Sequence, residues 1–341
     1  MDDHVSQAIG RPDLVRLGSR LICLRFETMK VLSADAAVEQ LLKRGVVRPG
    51  DTVVDSSSGI YAIALALACH RHGLTCHIVG STTIDRTTAI QLELLGARLE
   101  QMPPSSDLGL DQNRRVARVR ELLAANPRHH WMRQYHDDVH RLGYRAVARL
   151  IAEEVDGPLT LVGGVGSGAS TGALATYLRG WGRPTTLVGV QPFGSVTFGS
   201  DHVADPDIII AGIGSSIPFG NVDHTLYDTI HWIGFAAAQS GSIELLRRHA
   251  VFAGLSTGAG YLAACWERRL AADTTLIVIG ADTGTRYVDS VFARHREAEP
   301  FPSLSPRAAT RLDELTLPWS RMNWRRAAAP VRARCDRDVA S

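Results

Sequence analysis

Hydrophobic and polar positions divide the chain into short apolar runs and longer mixed segments. Apolar runs rich in Val, Ile and Leu lie at 51–57, 74–80, 159–166, 185–192 and 274–282. The first three runs each precede a segment of helical composition, and those segments end at Gly73, Gly96 and Gly182. This alternation predicts parallel βαβ units, and continuous apolar runs are typical of strands that are buried on both faces.

The same pattern indicates how the chain is organised. Its length suits one large α/β domain or two coupled subdomains. A helix predicted from residue 115 is broken at Asn126-Pro127, and we place a subdomain boundary near 134–140. From about Arg311 the chain is rich in Arg and Ala, and this tail is predicted either to form a helix on a partner subunit or to be loosely ordered.

The composition is that of an ordinary globular protein. The chain has 341 residues, of which 45% are hydrophobic and 21% charged, and its formal net charge is +2. These values exclude global disorder and provide no basic excess for binding nucleic acid. No apolar run approaches the roughly 20 residues of a membrane span, and the acidic, polar start does not resemble a signal peptide. The five cysteines form no CxxC pair, so we expect reduced thiols in a cytoplasmic protein and no metal site.

Four histidines cluster near the predicted boundary, namely His129, His130, His136 and His140. Their spacing does not match a metal site, so we interpret them as solvated loop residues. The alternative for His136 is a position at the entrance to a substrate site.

The strongest local signal is a glycine-rich turn, VGGVGSGASTG, at 162–172. It follows a predicted strand and opens a predicted helix, so several backbone N–H groups and the positive end of the helix point to one spot. Ser167 and Ser170 add hydroxyl donors. This arrangement predicts a phosphate site, although glycine-rich turns also occur as plain tight connections.

The glycines leave the kind of phosphate open. Gly164, Gly166 and Ala169 satisfy GxGxxA, which is the pattern of dinucleotide-binding folds. The acidic residue that would bind a ribose is missing, because the next strand ends in Gln191. No Lys-Ser/Thr pair follows the glycines, which excludes a Walker P-loop. A small monophosphate ligand fits better than NAD or ATP.

A second anion site is predicted at DSSSGIYAIALA (55–66), where a strand end meets three serines, Gly59 and a helix. Ser57, Ser58 and the first amides of the helix would bind a carboxylate. The alternative is that the serines only cap the helix.

Eight segments, taken in order, resemble the fold-type-II pyridoxal-phosphate enzymes, the cysteine synthase and cystathionine β-synthase family. IGRPDLVRL (9–17) resembles the family's IGxTPLVRL, SSSGIYAIALA (56–66) its TSGNTGIALA, QLELLGARL (91–99) its LLKALGAxV, GSGAS (166–170) its GTGGT, VGVQPFGS (188–195) its VGVEPxxS, IAGIGSSIPFGNVD (210–223) its GIGxGxIPxxLD, FAGLSTGAG (252–260) its FAGxSSGAA, and ADTGTRYVDSVF (281–292) its PDSGERYLSTLF. Each match is weak alone, but eight matches in the same order as in the family are specific evidence for the resemblance.

The resemblance implies an α/β fold like that of tryptophan synthase β, with two subdomains that each contain a mostly parallel, twisted sheet flanked by helices. The smaller subdomain (31–135) would carry the substrate carboxylate loop and move as that loop closes. The larger subdomain (1–30 plus 136–310) would bind pyridoxal 5′-phosphate, and a C-terminal tail (311–341) would follow. The resemblance also implies a homodimer.

The family lysine that binds the cofactor covalently falls on Lys30, counted back from Gly59 without a gap. The flanks depart from the family, since no NPTGS precedes Lys30 and Val31-Leu32 replace Asp-Arg. Taken alone, Lys30 would be interpreted as a solvated surface charge. By resemblance, it would hold the cofactor and then act as the base at the substrate Cα.

The resemblance implies roles for further residues. The cofactor phosphate would bind to Gly166, Ser167, Gly168, Ala169 and Ser170, and Thr283 would contact the pyridine nitrogen. Ile60 occupies the cofactor-binding position where the family has an asparagine beside O3′, and Tyr61 and Ala62 replace the next Thr and Gly. The substrate carboxylate would be gripped by Ser57, Ser58 and Gly59 with help from Gln134.

The activity follows from the same resemblance. A hydroxyl at Thr283 leaves the pyridine nitrogen unprotonated, which favours β-elimination and β-replacement over transamination. We expect one of these reactions on an O-activated serine or a cysteine-like amino acid, through an aminoacrylate. Three alternatives stay open: a C–S or C–O lyase, a catalytically weak scaffold that binds pyridoxal phosphate, and an NAD-dependent dehydrogenase.

Overall fold

The structure is a computed structural model, and it describes residues 1–57, 59–82, 84–103, 108–206, 212–271 and 273–327. Its strands are β1 (Asp13–Gly18), β2 (Leu21–Arg25), β3 (Thr52–Ser57), β4 (Thr75–Gly80), β5 (Arg98–Gln101), β6 (His130–Trp131), β7 (Leu159–Gly164), β8 (Thr185–Gln191), β9 (Thr229–Ile233), β10 (Thr275–Gly280), β11 (Arg307–Ala308) and β12 (Trp319–Asn323). Its α-helices are α1 (Val5–Ile9), α2 (Lys30–Lys43), α3 (Ile60–His72), α4 (Arg86–Leu94), α5 (Leu108–Ala125), α6 (Tyr144–Glu154), α7 (Ala169–Gly180), α8 (Phe235–His249), α9 (Leu255–Leu270) and α10 (Trp324–Ala327).

The chain divides into two compact units. Unit 1 contains residues 1–12 and 26–147, and unit 2 contains residues 13–25 and those from 148 onward. Each unit has its own sheet and its own hydrophobic core.

Unit 1 is built on a parallel sheet with the strand order β5-β4-β3-β6. β3 pairs with β4 along its whole length, from Thr52 opposite Thr75 to Ser57 opposite Gly80. The helices α2 and α3 pack together, and their apolar residues form the core with the buried centre of β3. Because parallel strands end at the same edge, Ser57 is carried at the carboxyl edge of this sheet.

Unit 2 is built on a larger sheet with the order β1-β2-β10-β7-β8-β9-β12-β11. The central strands from β2 to β9 run parallel, whereas β1 and β12 run antiparallel to their neighbours β2 and β9. The helix α9 packs on β7 and β10, whose apolar residues are buried. The predicted α/β class with parallel sheets is confirmed in both units.

The helix ends that glycines predicted are also confirmed. Gly73 follows α3 in the left-handed conformation, with φ of 67°, and Gly96 follows the turn after α4 with φ of 74°. These φ values are in the region that glycine adopts without steric cost.

Residues 311–327, within the segment that the sequence analysis treats as a tail, contribute β12 to the sheet of unit 2. A buried network fixes this strand. Trp319 Nε1 donates to His231 Nδ1 at 2.9 Å, and His231 Nε2 lies 3.0 Å from Glu267 Oε1. Because an indole N–H can only donate, His231 carries its proton on Nε2 and is neutral. Arg321 Nε completes the network by donating to Glu267 at 2.6 Å.

None of the helices in the described part of the chain combines the length and apolarity that a bilayer crossing requires.

Candidate active site

The loop after β3 in unit 1 begins with a capping arrangement. Ser57 is buried, and its Oγ accepts hydrogen bonds from the backbone N–H groups of Gly59 and Ala62, both at 3.1 Å. Gly59 has φ of 142°, a value that a residue with a Cβ rarely adopts, so the tight turn into α3 depends on glycine. Ser57 thus does cap α3, and its hydroxyl hydrogen can still be donated to a carboxylate. The carboxylate role of Ser57 and Gly59 stays a prediction, and Ser58 lies outside the described residues.

Gln134 lies beside the end of β3, as its predicted role requires. Its side-chain Nε2 donates to the carbonyl of Ser56 at 2.7 Å, and its backbone N–H donates to Asp55 Oδ2 at 3.0 Å. Both bonds join the segment after β6 to the carboxyl end of β3. The structure therefore brings Gln134 and the loop that begins at Ser57 together within unit 1.

Asp55 is a buried residue that the sequence analysis did not select. It is 1% exposed, and its carboxylate accepts hydrogen bonds from Ser56 N at 2.8 Å, Trp131 Nε1 at 3.1 Å and Gln134 N at 3.0 Å. Burial raises the pKa of Asp55 to about 7, against the opposing effect of these donors. The available signal was an acidic residue directly after the apolar Val53-Val54 pair of a predicted strand.

Lys30 is the first residue of α2 and is half-buried. Burial lowers the pKa of Lys30 to about 8, and the carboxylate of Asp55 opposes this effect. A lysine in this environment is partly neutral near physiological pH, and a neutral amine is the form that attacks a carbonyl carbon. Interpretation of Lys30 as a solvated surface charge does not fit this environment.

The chain offers few competitors for the role of a cofactor-binding lysine. Only two lysines occur in the whole sequence, Lys30 and Lys43. The side chain of Lys43 is 66% exposed and pairs with Glu39 at 2.8 Å on the surface of α2. Lys30 is therefore the one whose surroundings suit an internal nucleophile.

His140 corrects one interpretation from the sequence. It is fully buried, and its Nε2 donates to the carbonyl of Met132 at 2.7 Å. Burial lowers the pKa of His140, and the positive charge of Lys30 adds to this effect. The interpretation of His140 as a solvated loop residue was wrong, because packing of the short helix Asp138–Arg141 against α2 encloses it.

The glycine-rich turn of unit 2 connects β7 to α7 as predicted. A Cβ on Gly166 would lie 2.3 Å from the backbone oxygen of Gly212, and a Cβ on Gly168 would lie 3.0 Å from that of Asn221. Gly168 also has φ of 75° and is the N-cap residue directly before α7. Neighbouring backbone thus fills the space that side chains would need, so packing within unit 2 requires glycine at these two positions.

The start of α7 has the properties of an anion site. The amides of its first turn have no partners inside the helix, and the helix dipole places partial positive charge there. Ser167 is buried next to these amides, and Ser170 is half-buried in the first turn. Thr171 Oγ1 and the hydroxyl of Tyr227 lie 2.7 Å apart, which anchors this turn to the chain before β9.

Gln191 explains why the strand after α7 does not end in an acidic residue. Its Nε2 donates to the carbonyl of Val165, and its Oε1 accepts from Ser195 Oγ at 3.0 Å. The amide supplies both a donor and an acceptor, which a carboxylate would not. Gln191 therefore supports the glycine-rich turn from the side instead of binding a ribose.

Thr283 follows β10, the neighbour of β7 in the sheet of unit 2. It is half-buried, and its Oγ1 lies 3.1 Å from Thr285 Oγ1. The adjacent Asp282 is 7% exposed, and neither of its oxygens has a hydrogen-bond partner among the described residues. Burial raises the pKa of Asp282 to about 7. The contact of Thr283 with a cofactor nitrogen stays a prediction.

The residues present fit a small phosphorylated cofactor that reacts with an amine. Within unit 2, the glycine-rich turn at the start of α7 suits a phosphate group. Within unit 1, taken by itself, Lys30 has a pKa of about 8 and suits reaction with a carbonyl group. An α/β fold with these two features is typical of enzymes that hold a phosphorylated carbonyl compound through a lysine. The chain belongs to the family of pyridoxal-phosphate dependent enzymes, whose family model matches residues 23–280. The predicted cofactor is thereby confirmed, and the dinucleotide alternative loses its support.

Curated relatives and solved structures agree with this family. The chain is 33% identical over 261 residues to an N-(2-amino-2-carboxyethyl)-L-glutamate synthase of Ralstonia nicotianae (strain ATCC BAA-1114 / GMI1000), with 75% of each chain covered. It is 31% identical over 264 residues to a protein of the same name from Cupriavidus metallidurans (strain ATCC 43123 / DSM 2839 / NBRC 102507 / CH34), with 75% of this chain and 76% of that protein covered. The crystal structure of an O-ureido-L-serine synthase has the same fold, with a TM-score of 0.76, 22% identity, and coverage of 88% of this chain and 98% of that one.

Proposed function

We propose that this enzyme catalyses β-replacement on an O-activated serine, joining the β-carbon to the nitrogen of a second amino acid. The names of the two curated relatives support this choice, because they describe a 2-amino-2-carboxyethyl group carried on L-glutamate. The observation that carries the proposal is Lys30, a half-buried lysine with a pKa of about 8 in a chain that has only one other lysine. The predicted alternative, a C–S or C–O lyase, differs only in the absence of a second substrate.

The residue roles follow from the chemistry that each group offers. When bound, pyridoxal phosphate supplies the electron sink that stabilises negative charge at the substrate Cα. Lys30 holds the cofactor and then removes the proton from Cα, and it returns that proton after the exchange at Cβ. At Cβ the C–O bond breaks with its electron pair on the leaving group, and the nitrogen lone pair forms the new C–N bond while its proton is lost.

The remaining residues bind and orient. In the proposal, the amides and hydroxyls of the segment 166–170 hold the phosphate dianion, and Thr283 contacts the pyridine nitrogen. Ser57, Ser58 and Gly59 hold the substrate carboxylate with Gln134 beside them. Ile60 offers no polar contact to the cofactor oxygen at its position, since its side chain is a hydrocarbon.

The first experiment asks whether Lys30 carries the cofactor. The purified chain is reduced with borohydride and digested, and mass spectrometry locates the added pyridoxyl group. We expect it on the peptide with Lys30 and expect it to be absent from Lys30→Ala, whereas Lys43→Ala retains it as the matched control. A pyridoxyl group on Lys43 alone would refute the assignment.

The second experiment identifies the reaction. The enzyme is incubated with O-acetylserine or O-phosphoserine, with and without L-glutamate or sulfide, and the products are identified by mass spectrometry. We expect an amino-acid adduct that requires the nucleophile. Formation of pyruvate at an unchanged rate in every mixture, with no adduct, would favour the lyase alternative. No change with any serine derivative would favour the scaffold alternative.

We also propose that the enzyme is a cytoplasmic homodimer. The described cysteines Cys23, Cys69, Cys76 and Cys265 are not in disulfides, which suits a cytoplasmic protein. Resemblance to the cysteine synthase family favours a homodimer. Light scattering coupled to size exclusion tests the dimer directly, since a mass of one chain would contradict it.

A further inference from the structure

One segment of unit 2, residues 221–228, lies against the first turn of α7. Thr171 Oγ1 and the hydroxyl of Tyr227 lie 2.7 Å apart, and both side chains are buried. A Cβ on Gly168, directly before α7, would lie 3.0 Å from the backbone oxygen of Asn221. The position of the turn that is predicted to hold the cofactor phosphate therefore depends on this segment, which we term the supporting segment.

The supporting segment has little regular structure of its own. It contains one short 3₁₀ turn, His224–Leu226, before β9 begins at Thr229. A single turn of this kind is weakly stable, so its place beside α7 depends on contacts with other parts of unit 2. Arg179 of α7 supplies one of these contacts, because its Nη1 donates to the carbonyl of Leu226 at 2.9 Å.

The chain that follows β12 holds the supporting segment at two places. Trp324 is 1% exposed, and its indole Nε1 donates to the carbonyl of His224 at 3.1 Å. The backbone N–H of Trp324 donates to the carbonyl of Asp228 at 2.9 Å. Arg325 Nε lies 2.7 Å from Asp228 Oδ1 and adds an ion pair. Trp324 and Arg325 thus fix both the middle and the end of the supporting segment.

A buried aromatic ring joins Trp324 to the residue that contacts α7. Phe198 is fully buried, and its ring packs edge-to-face on Trp324 with 4.9 Å between the centroids. The same ring packs edge-to-face on Tyr227 at 5.1 Å and on His224 at 4.9 Å. Such pairs are favourable, and a close-packed core leaves little room for one ring to move without its neighbours. A displacement of Trp324 is therefore expected to reach Tyr227 and its contact with Thr171.

We propose that Trp324 and Arg325 are positioning residues for the cofactor phosphate. They hold the supporting segment against the first turn of α7, and so keep the amides of that turn in the geometry that binds the phosphate dianion. Both residues lie beyond residues 23–280, so this support is built by a part of the chain outside the match to the family model. This inference rests on the proposed function, in which residues 166–170 hold the phosphate.

The test compares two ligands that differ only in the phosphate group. Equilibrium dialysis of the cofactor-free full-length chain gives dissociation constants for pyridoxal 5′-phosphate and for pyridoxal. Both ligands carry the same ring and aldehyde, so the ratio of the two constants reports the part of the affinity that the phosphate supplies. A substitution that only loosens the fold would weaken both ligands alike and leave this ratio unchanged.

The principal variant is Trp324→Phe, which keeps an aromatic ring but loses the donor to the carbonyl of His224. We expect its affinity for pyridoxal 5′-phosphate to fall about fivefold and its affinity for pyridoxal to change by less than about twofold. The matched control is Trp319→Phe, which removes another buried indole donor. Trp319 bonds to His231 of β9, outside the supporting segment, so the control is expected to keep the ratio of the unaltered chain.

A second variant keeps the test informative if Trp324→Phe does not fold. Arg325→Gln removes the ion pair with Asp228 from a side chain that is 61% exposed, so the fold should tolerate it. We expect the affinity for pyridoxal 5′-phosphate, relative to that for pyridoxal, to fall about twofold. An unchanged ratio in every folded variant overturns the proposal.

The two proposals fail in different ways. If the unaltered chain binds pyridoxal as tightly as pyridoxal 5′-phosphate, the phosphate site of the proposed function is refuted, and the role of Trp324 falls with it. If the unaltered chain prefers the phosphorylated ligand and Trp324→Phe keeps that preference in full, only the role of Trp324 is refuted.

Discussion

The glycine-rich turn of unit 2 offers a sharp test of the proposed phosphate site through the substitution Gly166→Ala. The added Cβ would lie 2.3 Å from the backbone oxygen of Gly212, whereas carbon and oxygen atoms rest about 3.3 Å apart at their closest favourable contacts. The atom that obstructs it is backbone, so no side chain can rotate away. The two segments must separate by roughly 1 Å.

A displacement of this size has a large effect on binding. The shift would break hydrogen bonds from the turn to the charged phosphate, and each such bond contributes about 1.5–3 kcal/mol. We therefore expect the dissociation constant for pyridoxal phosphate to rise by about one to two orders of magnitude. Equilibrium dialysis of the cofactor-free chain, followed by absorbance of the free cofactor, measures it.

The matched control is Gly180→Ala at the other end of the same helix, α7. A Cβ at Gly180 would meet nothing within 4 Å, and alanine is the better helix former by roughly 0.5–1 kcal/mol. This variant is expected to bind the cofactor as the unaltered chain does. Equal affinity of Gly166→Ala and Gly180→Ala would show that the cofactor phosphate does not depend on this turn.

Three further predictions concern unit 2. Trp319→Phe leaves a cavity and removes the donor to His231, so the free energy of unfolding in urea should fall by about 2–4 kcal/mol. The control, Trp181→Phe at an exposed site, should change it little. Burial lowers the pKa of His231 and keeps it neutral in the folded chain. The contribution of His231 to the free energy of unfolding should therefore be complete above about pH 6.5 and be lost as the pH falls below that value. Urea titrations between pH 7 and 5 that show no such decline would contradict this. Tyr227→Phe removes the partner of Thr171 behind the start of α7, and cofactor affinity measured by dialysis should weaken about fivefold, with an unchanged affinity arguing against the anchoring role.

The features that the sequence predicted well are local. Strands such as β3 and β7 appear in the sequence as short apolar runs. Gly73 and Gly96 mark helix ends because few other residues adopt the left-handed conformation there. The glycine-rich turn after β7 is equally local, since the strand, the turn and the helix are consecutive. Lys30 carried no local signal at all, and only its register with the motifs of the family selected it.

The features that the sequence analysis missed depend on contacts between distant residues. Asp55 and Gln134 are 79 positions apart, and no pattern near either residue indicates that one accepts a hydrogen bond from the other. His140 stands in a polar stretch that suggests exposure, and only the packing of its short helix against α2 encloses it. Trp319 and His231 are 88 positions apart, so the place of β12 in the sheet was equally hidden.

The antiparallel pairing of β12 with β9 bears on how far the chain can be shortened. A protein that ended before Trp319 would leave the backbone of Thr229–Ile233 without its neighbour along one side. An open edge of this kind recruits strands from other molecules and leads to aggregation. Truncated versions made for crystallisation should therefore keep every residue through Asn323, because β12 covers the edge of β9 and so prevents self-association.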